Sequence, residues 1–204
     1  MNTSGDGYLE TYLEQLEGSI SVLRNQLPAI DDMVNRLVAT VKTRQQILAF
    51  GNGGSSATTS HFMVDISKFV RMHNGPPVKA ICLSDNIPTL TAWANDDSYD
   101  VVFAERVRAH ADVGDVVVAV SCSGNSKNVL RGVEQAEACG AYTIGVCGFD
   151  GGLLAAKVNS AIVVPGERIQ QVEDVHHVLL HVVSIQVAEQ LDGLGAEPYR
   201  ARVR

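Results

Sequence analysis

Apolar residues recur at three- and four-residue intervals from Tyr8 to about Asn25, through Leu9, Tyr12, Leu13, Leu16, Ile20 and Leu23, and this spacing predicts a helix. Pro28 breaks the pattern, and a second helical stretch runs from about Ile30 to Arg44 through Met33, Leu37, Val38 and Val41. The period then changes. Short apolar runs at Ile47–Phe50, Val78–Leu83, Asp115–Val120, Tyr142–Val146 and Ser160–Val164 read as five strands. Helical stretches separate most of them: Ser55–Val70, a pair around Thr89–Ala94 and Asp100–His110, and Ser126–Ala138 with Gly140 as its stop. A long helix from Gln170 to Leu191 closes the pattern. Strands that are apolar throughout and joined by helices imply a parallel sheet covered on both faces. The expected fold class is therefore α/β, a three-layer parallel five-stranded sheet flanked by helices. An N-terminal helical pair (about 8–45) precedes the core (about 46–191), and residues 192–204 form a short tail. No repeat or linker divides the chain, which reads as one domain of 204 residues.

Composition narrows the class. The chain is 46% hydrophobic, enough for a sizeable core at this length, but only 5% aromatic, which favours α/β packing over an aromatic-rich sandwich. The net charge of -7 argues against nucleic acid or an anionic membrane as a partner. The basic stretch Arg200–Arg204 is too short to reverse that and reads as a solvated tail. No run of eighteen apolar residues predicts a membrane span, and the start Met1–Asp6 carries no secretion pattern, so a cytoplasmic location is expected. Cys82, Cys122, Cys139 and Cys147 form no CxxC pair and read as reduced thiols.

In open parallel sheets, ligands collect at the carboxyl ends of the strands, so the loops there hold the candidate chemistry. Gly51-Asn52-Gly53-Gly54-Ser55-Ser56 follows the first strand and opens a helix. Its glycines let the backbone approach a ligand, and helix-start N–H groups with serine hydroxyls attract an anion. Ser121-Cys122-Ser123-Gly124-Asn125-Ser126 repeats the design after the most apolar strand. Neither is a Walker loop or a dinucleotide fingerprint. The chemistry is that of a phosphate held by hydroxyls and amides. On the helix after the first loop, His61 and Asp65 stand at i and i+4 and share a face, able to bind a metal or to act as a proton-transfer pair. On the closing helix Glu173, His177 and His181 share a broad face from which His176 is turned away.

Gly-Asn-Gly-Gly-Ser after one strand and Ser-x-Ser-Gly-Asn-Ser-x-Asn-Val after a later one resemble the sugar isomerase (SIS) domain, and more narrowly the phosphoheptose isomerases. The likeness runs from about Tyr8 to Leu191 and includes Ala94-Asn95-Asp96 before Tyr99-Asp100. It implies a flavodoxin-like SIS fold. It also implies an aldose–ketose isomerase that converts sedoheptulose 7-phosphate to D-glycero-D-manno-heptose 7-phosphate through an enediol, in heptose biosynthesis. By the same resemblance, Ser55, Ser121, Cys122, Ser123 and Ser126 contact phosphate, and Asn52, Gly53 and Asp96 lie against the sugar. Asp65 and His181 are implied as the catalytic pair, and His61, Asp65, Glu173 and His181 as ligands of one zinc ion, meeting across a subunit contact in a homotetramer. Two positions depart from the family: Asp65 stands where Glu is usual, one methylene shorter, and Glu173 where Gln is usual. All four positions keep the ability to bind zinc. Two other readings fit the same loops, a non-catalytic sugar-phosphate sensor or protein-bridging regulator, and an isomerase or epimerase of another phosphosugar.

Overall fold

The computed structural model describes residues 7–195. Helix α1 (Tyr8–Val22) passes through a 3-10 turn, Leu23–Gln26, into α2 (Leu27–Lys42). Pro28 therefore lies in the first turn of α2. First-turn amides have no intrahelical acceptor, so a residue without an N–H costs nothing there. The proline starts the second helix, which begins before the expected Ile30. The remaining elements are β1 (Gln46–Gly51), α3 (Gly53–Met72), β2 (Lys79–Cys82), α4 (Ile87–Asp96), α5 (Val102–His110) and β3 (Val116–Ser121). They continue with α6 (Lys127–Ala138), β4 (Tyr142–Gly148), α7 (Gly152–Lys157), β5 (Ser160–Val164) and α8 (Ile169–Gln190). Met1–Asp6 and the basic Arg200–Arg204 fall outside the described residues.

All five strands are parallel, in the order β2-β1-β3-β4-β5. The chain leaves β1 toward one edge and returns beyond it to form β3, so the order reverses between these two strands. Register pairs Ile47 with Val116 and Gly51 with Val120, which sets the ends of β1 and β3 side by side. A reversal of this kind opens a crevice at the carboxyl ends of the two strands, and both Gly/Ser loops start there.

The sheet is buried on both faces, as its apolar strands require. Ile47, Ala49, Val116, Val118, Val120 and Ile144 pack toward α2, α3 and α8. Leu48, Phe50, Val117, Ala119 and Cys147 face the opposite layer. There Phe50 stacks on Phe103 of α5 with centroids 4.8 Å apart. Helix α1 buries little, and Tyr8, Leu9 and Leu13 stay exposed. Helix α7 was not expected from periodicity because it spans a single turn and a half. It exists because Gly151 (φ +88°) and Gly152 (φ +54°) reverse the chain after β4. No helix among the described residues is long and apolar enough to cross a membrane.

Candidate active site

Asn52, Gly53, Gly54 and Ser55 on one side and Ser121, Cys122, Ser123 and Ser126 on the other wall an open pocket of about 240 Å³, completed by Val120, Ile169 and Glu173. The two loops approach closely because Gly51 has no side chain: a Cβ there would lie 2.8 Å from the Val120 carbonyl oxygen. Asn52 is the N-cap of α3 and Ser126 the N-cap of α6, yet neither side chain caps its helix. Both residue types ordinarily accept a hydrogen bond from the first turn. Here the first-turn amides of α3, and those of α6 other than Val129 N–H, have no side-chain acceptor among the described hydrogen bonds, and both helix starts border a pocket also lined by serine hydroxyls. That is the donor arrangement an anion needs. No lysine or arginine lines the pocket.

The second loop is pinned from behind by the turn into α7. Leu154 N–H donates to the Gly124 carbonyl at 2.9 Å, and Leu153 N–H to Asn125 Oδ1 at 3.1 Å. Gly124 (φ +62°) lies directly against the Gly151 carbonyl, where any Cβ would collide. Cys122 is both wall and core, packing with Val164, Val172 and Val175. Its sulfur lies 3.9 Å from Ser55 Oγ. Burial pushes its thiol up against the opposing effect of the Ser55 contact, so it stays protonated.

From the pocket, α3 and α8 run side by side, and their four-residue repeats meet rung by rung. Glu173 lies with its carboxylate against Gly54, which has no side chain to block it. One turn on, Thr58 Oγ1 is 3.3 Å from His177 Nδ1. One turn further, His61 Nε2 and His181 Nε2 are 3.4 Å apart, and Asp65, a turn beyond His61, places its Oδ2 3.3 Å from His61 Nε2 and 3.4 Å from His181 Nε2. Asp65 is only 6% exposed, and its Oδ2 is buried without a hydrogen bond. The structure therefore gathers His61, Asp65 and His181 within one chain, because α3 and α8 run parallel and their facing repeats oppose these residues. Glu173 does not join this group, whose ligand atoms lie within 4.8 Å of one another. It lines the pocket instead.

Asp96 ends α4, exposed, and accepts from Asn95 Nδ2 at 2.8 Å. It is not on the pocket wall. His176 is fully buried, as its turned-away position on the helix implies. Its Nε2–H donates to the Cys147 carbonyl at 3.0 Å, and burial pushes its pKa down to about 4. Sequence reasoning assigned no role to Asn128 or Tyr99, although both stand in or beside quoted motifs. Asn128 Nδ2 donates to Asn52 Oδ1 at 2.9 Å, and Tyr99 Oη–H donates to the same oxygen at 2.8 Å.

The SIS domain model matches residues 11–148. A probable phosphoheptose isomerase of Thermoplasma acidophilum is 35% identical over 179 residues, covering 88% of this chain and 97% of the relative. The chain belongs to the SIS-domain phosphoheptose isomerase family. The phosphoheptose isomerase of Roseiflexus sp. is likewise 35% identical, over 90% of this chain and 94% of its own length. Among solved structures, phosphoheptose isomerase GmhA from Neisseria gonorrhoeae superposes with a TM-score of 0.80 at 27% identity, covering 90% of this chain and 96% of that one.

Proposed function

We propose that this protein is a sugar-phosphate isomerase that interconverts sedoheptulose 7-phosphate and D-glycero-D-manno-heptose 7-phosphate. The observation that carries the reading is the juxtaposition, along one α3–α8 seam, of an anion pocket and a buried carboxylate faced by two imidazoles. The names of the relatives, phosphoheptose isomerases from several organisms, support the same substrate class. The pocket holds the phosphate through Ser55, Ser121, Ser123 and Ser126 and the two helix starts. The sugar then extends along the seam past Thr58 and His177 toward Asp65. Asp65 removes the proton from the carbon beside the carbonyl, giving a cis-enediol, and returns it to the neighbouring carbon. His181 moves a proton between the two oxygens. Burial of Asp65 excludes water, so the proton it takes is not lost to bulk solvent.

His61, Asp65 and His181 fit a zinc ion. Ligand atoms about 2.0–2.1 Å from a tetrahedral ion stand about 3.3–3.4 Å from one another, and the three donor atoms here are 3.3–3.4 Å apart. The orphaned Oδ2 of Asp65 supplies the anionic ligand. Glu173 would complete the set only by leaving Gly54. A bound zinc ion would polarise the substrate's carbonyl and hydroxyl oxygens. Exposed apolar side chains on α3 and α8 beside the cluster, Val64, Val178, Val182 and Ile185, support a homo-oligomer that covers the open side of the seam.

Asp65→Asn tests the assignment. Turnover of sedoheptulose 7-phosphate is expected to vanish, while calorimetric affinity for the sugar phosphate stays within about threefold, because the anion pocket is about three turns away along α3. Loss of binding together with turnover would remove Asp65 from the chemical role. The shortened Asp65 and the acidic Glu173 favour, as a second reading, the same chemistry on a related phosphosugar, and a substrate panel distinguishes the two.

A further inference from the structure

The side chain of Asn52, between the two loops, has its orientation dictated by its neighbours. One end of this hydrogen-bond network is a group that can only donate. The backbone N–H of Val129 donates to Asn128 Oδ1 at 3.0 Å, which fixes which end of the Asn128 amide is oxygen. Asn128 Nδ2 must then donate to Asn52 Oδ1, at 2.9 Å, and Asn52 Nδ2 donates back to Asn128 Oδ1 at 2.8 Å. Asn52 Oδ1 also receives the Tyr99 hydroxyl proton at 2.8 Å. An amide oxygen has two lone pairs, and both are engaged. The second N–H of Asn52 has no partner among the described hydrogen bonds, and Asn52 lines the pocket. Asn128 is 3% exposed and well packed, so the clamp is held from the protein side.

We propose that Asn128 and Tyr99 fix Asn52 as a one-way hydrogen-bond donor, so that the site selects an acceptor oxygen of the bound sugar phosphate at that point. Asn128 is a positioning residue that acts through Asn52. A freely rotating asparagine would offer its oxygen as readily as its nitrogen and would tolerate a donor group in the ligand. The clamped one rejects it, because a ligand N–H or a hydroxyl held as a donor would face an N–H. The clamp also explains why Asn52 does not cap α3: its oxygen is engaged elsewhere, which leaves the helix start to the anion. This inference rests on the sugar-phosphate reading, and it concerns recognition rather than turnover.

The test is a double-substitution cycle on binding of sedoheptulose 7-phosphate, measured by calorimetry, with turnover recorded separately. Asn52→Ala, Asn128→Leu and the double variant are all charge-neutral, so attraction of the phosphate is unchanged. Each single change is expected to weaken binding by about tenfold, the size of one lost hydrogen bond to the ligand. The double variant is expected to bind no worse than Asn52→Ala alone, because residues acting through one another do not add. Tyr99→Phe, at an exposed position that cannot threaten the fold, is expected to weaken binding about threefold through the same oxygen. Asn128→Leu binding within twofold of wild type, or losses that multiply in the double variant, would overturn the clamp. The expected pattern without turnover keeps the clamp and removes the isomerase. Turnover with multiplying losses does the reverse. A wild-type protein that does not bind the sugar phosphate overturns both.

Discussion

His176 couples the closing helix to the sheet, and its neutral state makes that coupling pH-dependent. The ring is fully buried, donates from Nε2 to the Cys147 carbonyl, and leaves Nδ1 without a partner. Burial holds its pKa near 4, against 6.5 for an exposed histidine. Below pH 6.5 the unfolded chain binds a proton here that the folded chain refuses, so stability falls as the pH drops. The loss runs from the unfolded value down to about pH 4, and above it the contribution is complete. One proton over that window costs about 1.4 kcal/mol per pH unit, which gives about 2 kcal/mol between pH 7 and pH 5 and about 3 kcal/mol in all. The other titrating groups change stability over the same range, so the reference is His176→Gln, whose amide N–H can still reach the Cys147 carbonyl. Urea unfolding of both proteins across pH 7.5 to 4.5 reads the difference. The stability of wild type relative to the variant is expected to drop by about 2 kcal/mol between pH 7 and pH 5. Parallel curves would refute the reasoning, since they would mean that His176 titrates alike in both states.

Two further substitutions probe the pocket. Gly124→Ala would place a methyl group against the Gly151 carbonyl at a φ of +62°. The loop and the α7 turn must then separate, so sugar-phosphate binding should be lost and the melting temperature lowered by several degrees, about the effect of 1–3 kcal/mol. Unchanged calorimetric affinity would show that the loop is not where the phosphate binds. Glu173→Gln removes a carboxylate from the wall of an anion pocket, so inorganic phosphate is expected to bind about three- to tenfold more tightly at low salt, with the gain shrinking as salt is raised. Weaker phosphate binding by this variant would contradict the placement of Glu173.

The sheet was legible because its strands are buried on both faces: Val116–Val120 can be little else than a central parallel strand. The two loops were legible because glycine and serine clustered directly after such strands, and the order β2-β1-β3-β4-β5 then brought them together. Pro28 misled because the same residue marks an interruption or a helix start, and only packing of the turn before it decides. The polar helix faces were half legible. Spacing along α8 showed that Glu173, His177 and His181 share a side, but not which residue of α3 each would meet, because the register between two helices is a tertiary property. Hence His181 meets Asp65 within the chain while Glu173 meets Gly54. Asn128 carried no signal beyond its motif: a buried asparagine at a helix start reads as a cap, and its role depends on a side chain from a distant loop.

The most direct measurement of the central claim is an NMR assay of the purified protein with sedoheptulose 7-phosphate, run beside metal analysis of the same sample. Formation of an aldoheptose 7-phosphate, abolished by chelation and restored by zinc, is the result predicted by a phosphate pocket joined to a His61–Asp65–His181 group. A protein that binds the sugar phosphate but forms no product with zinc present would contradict it.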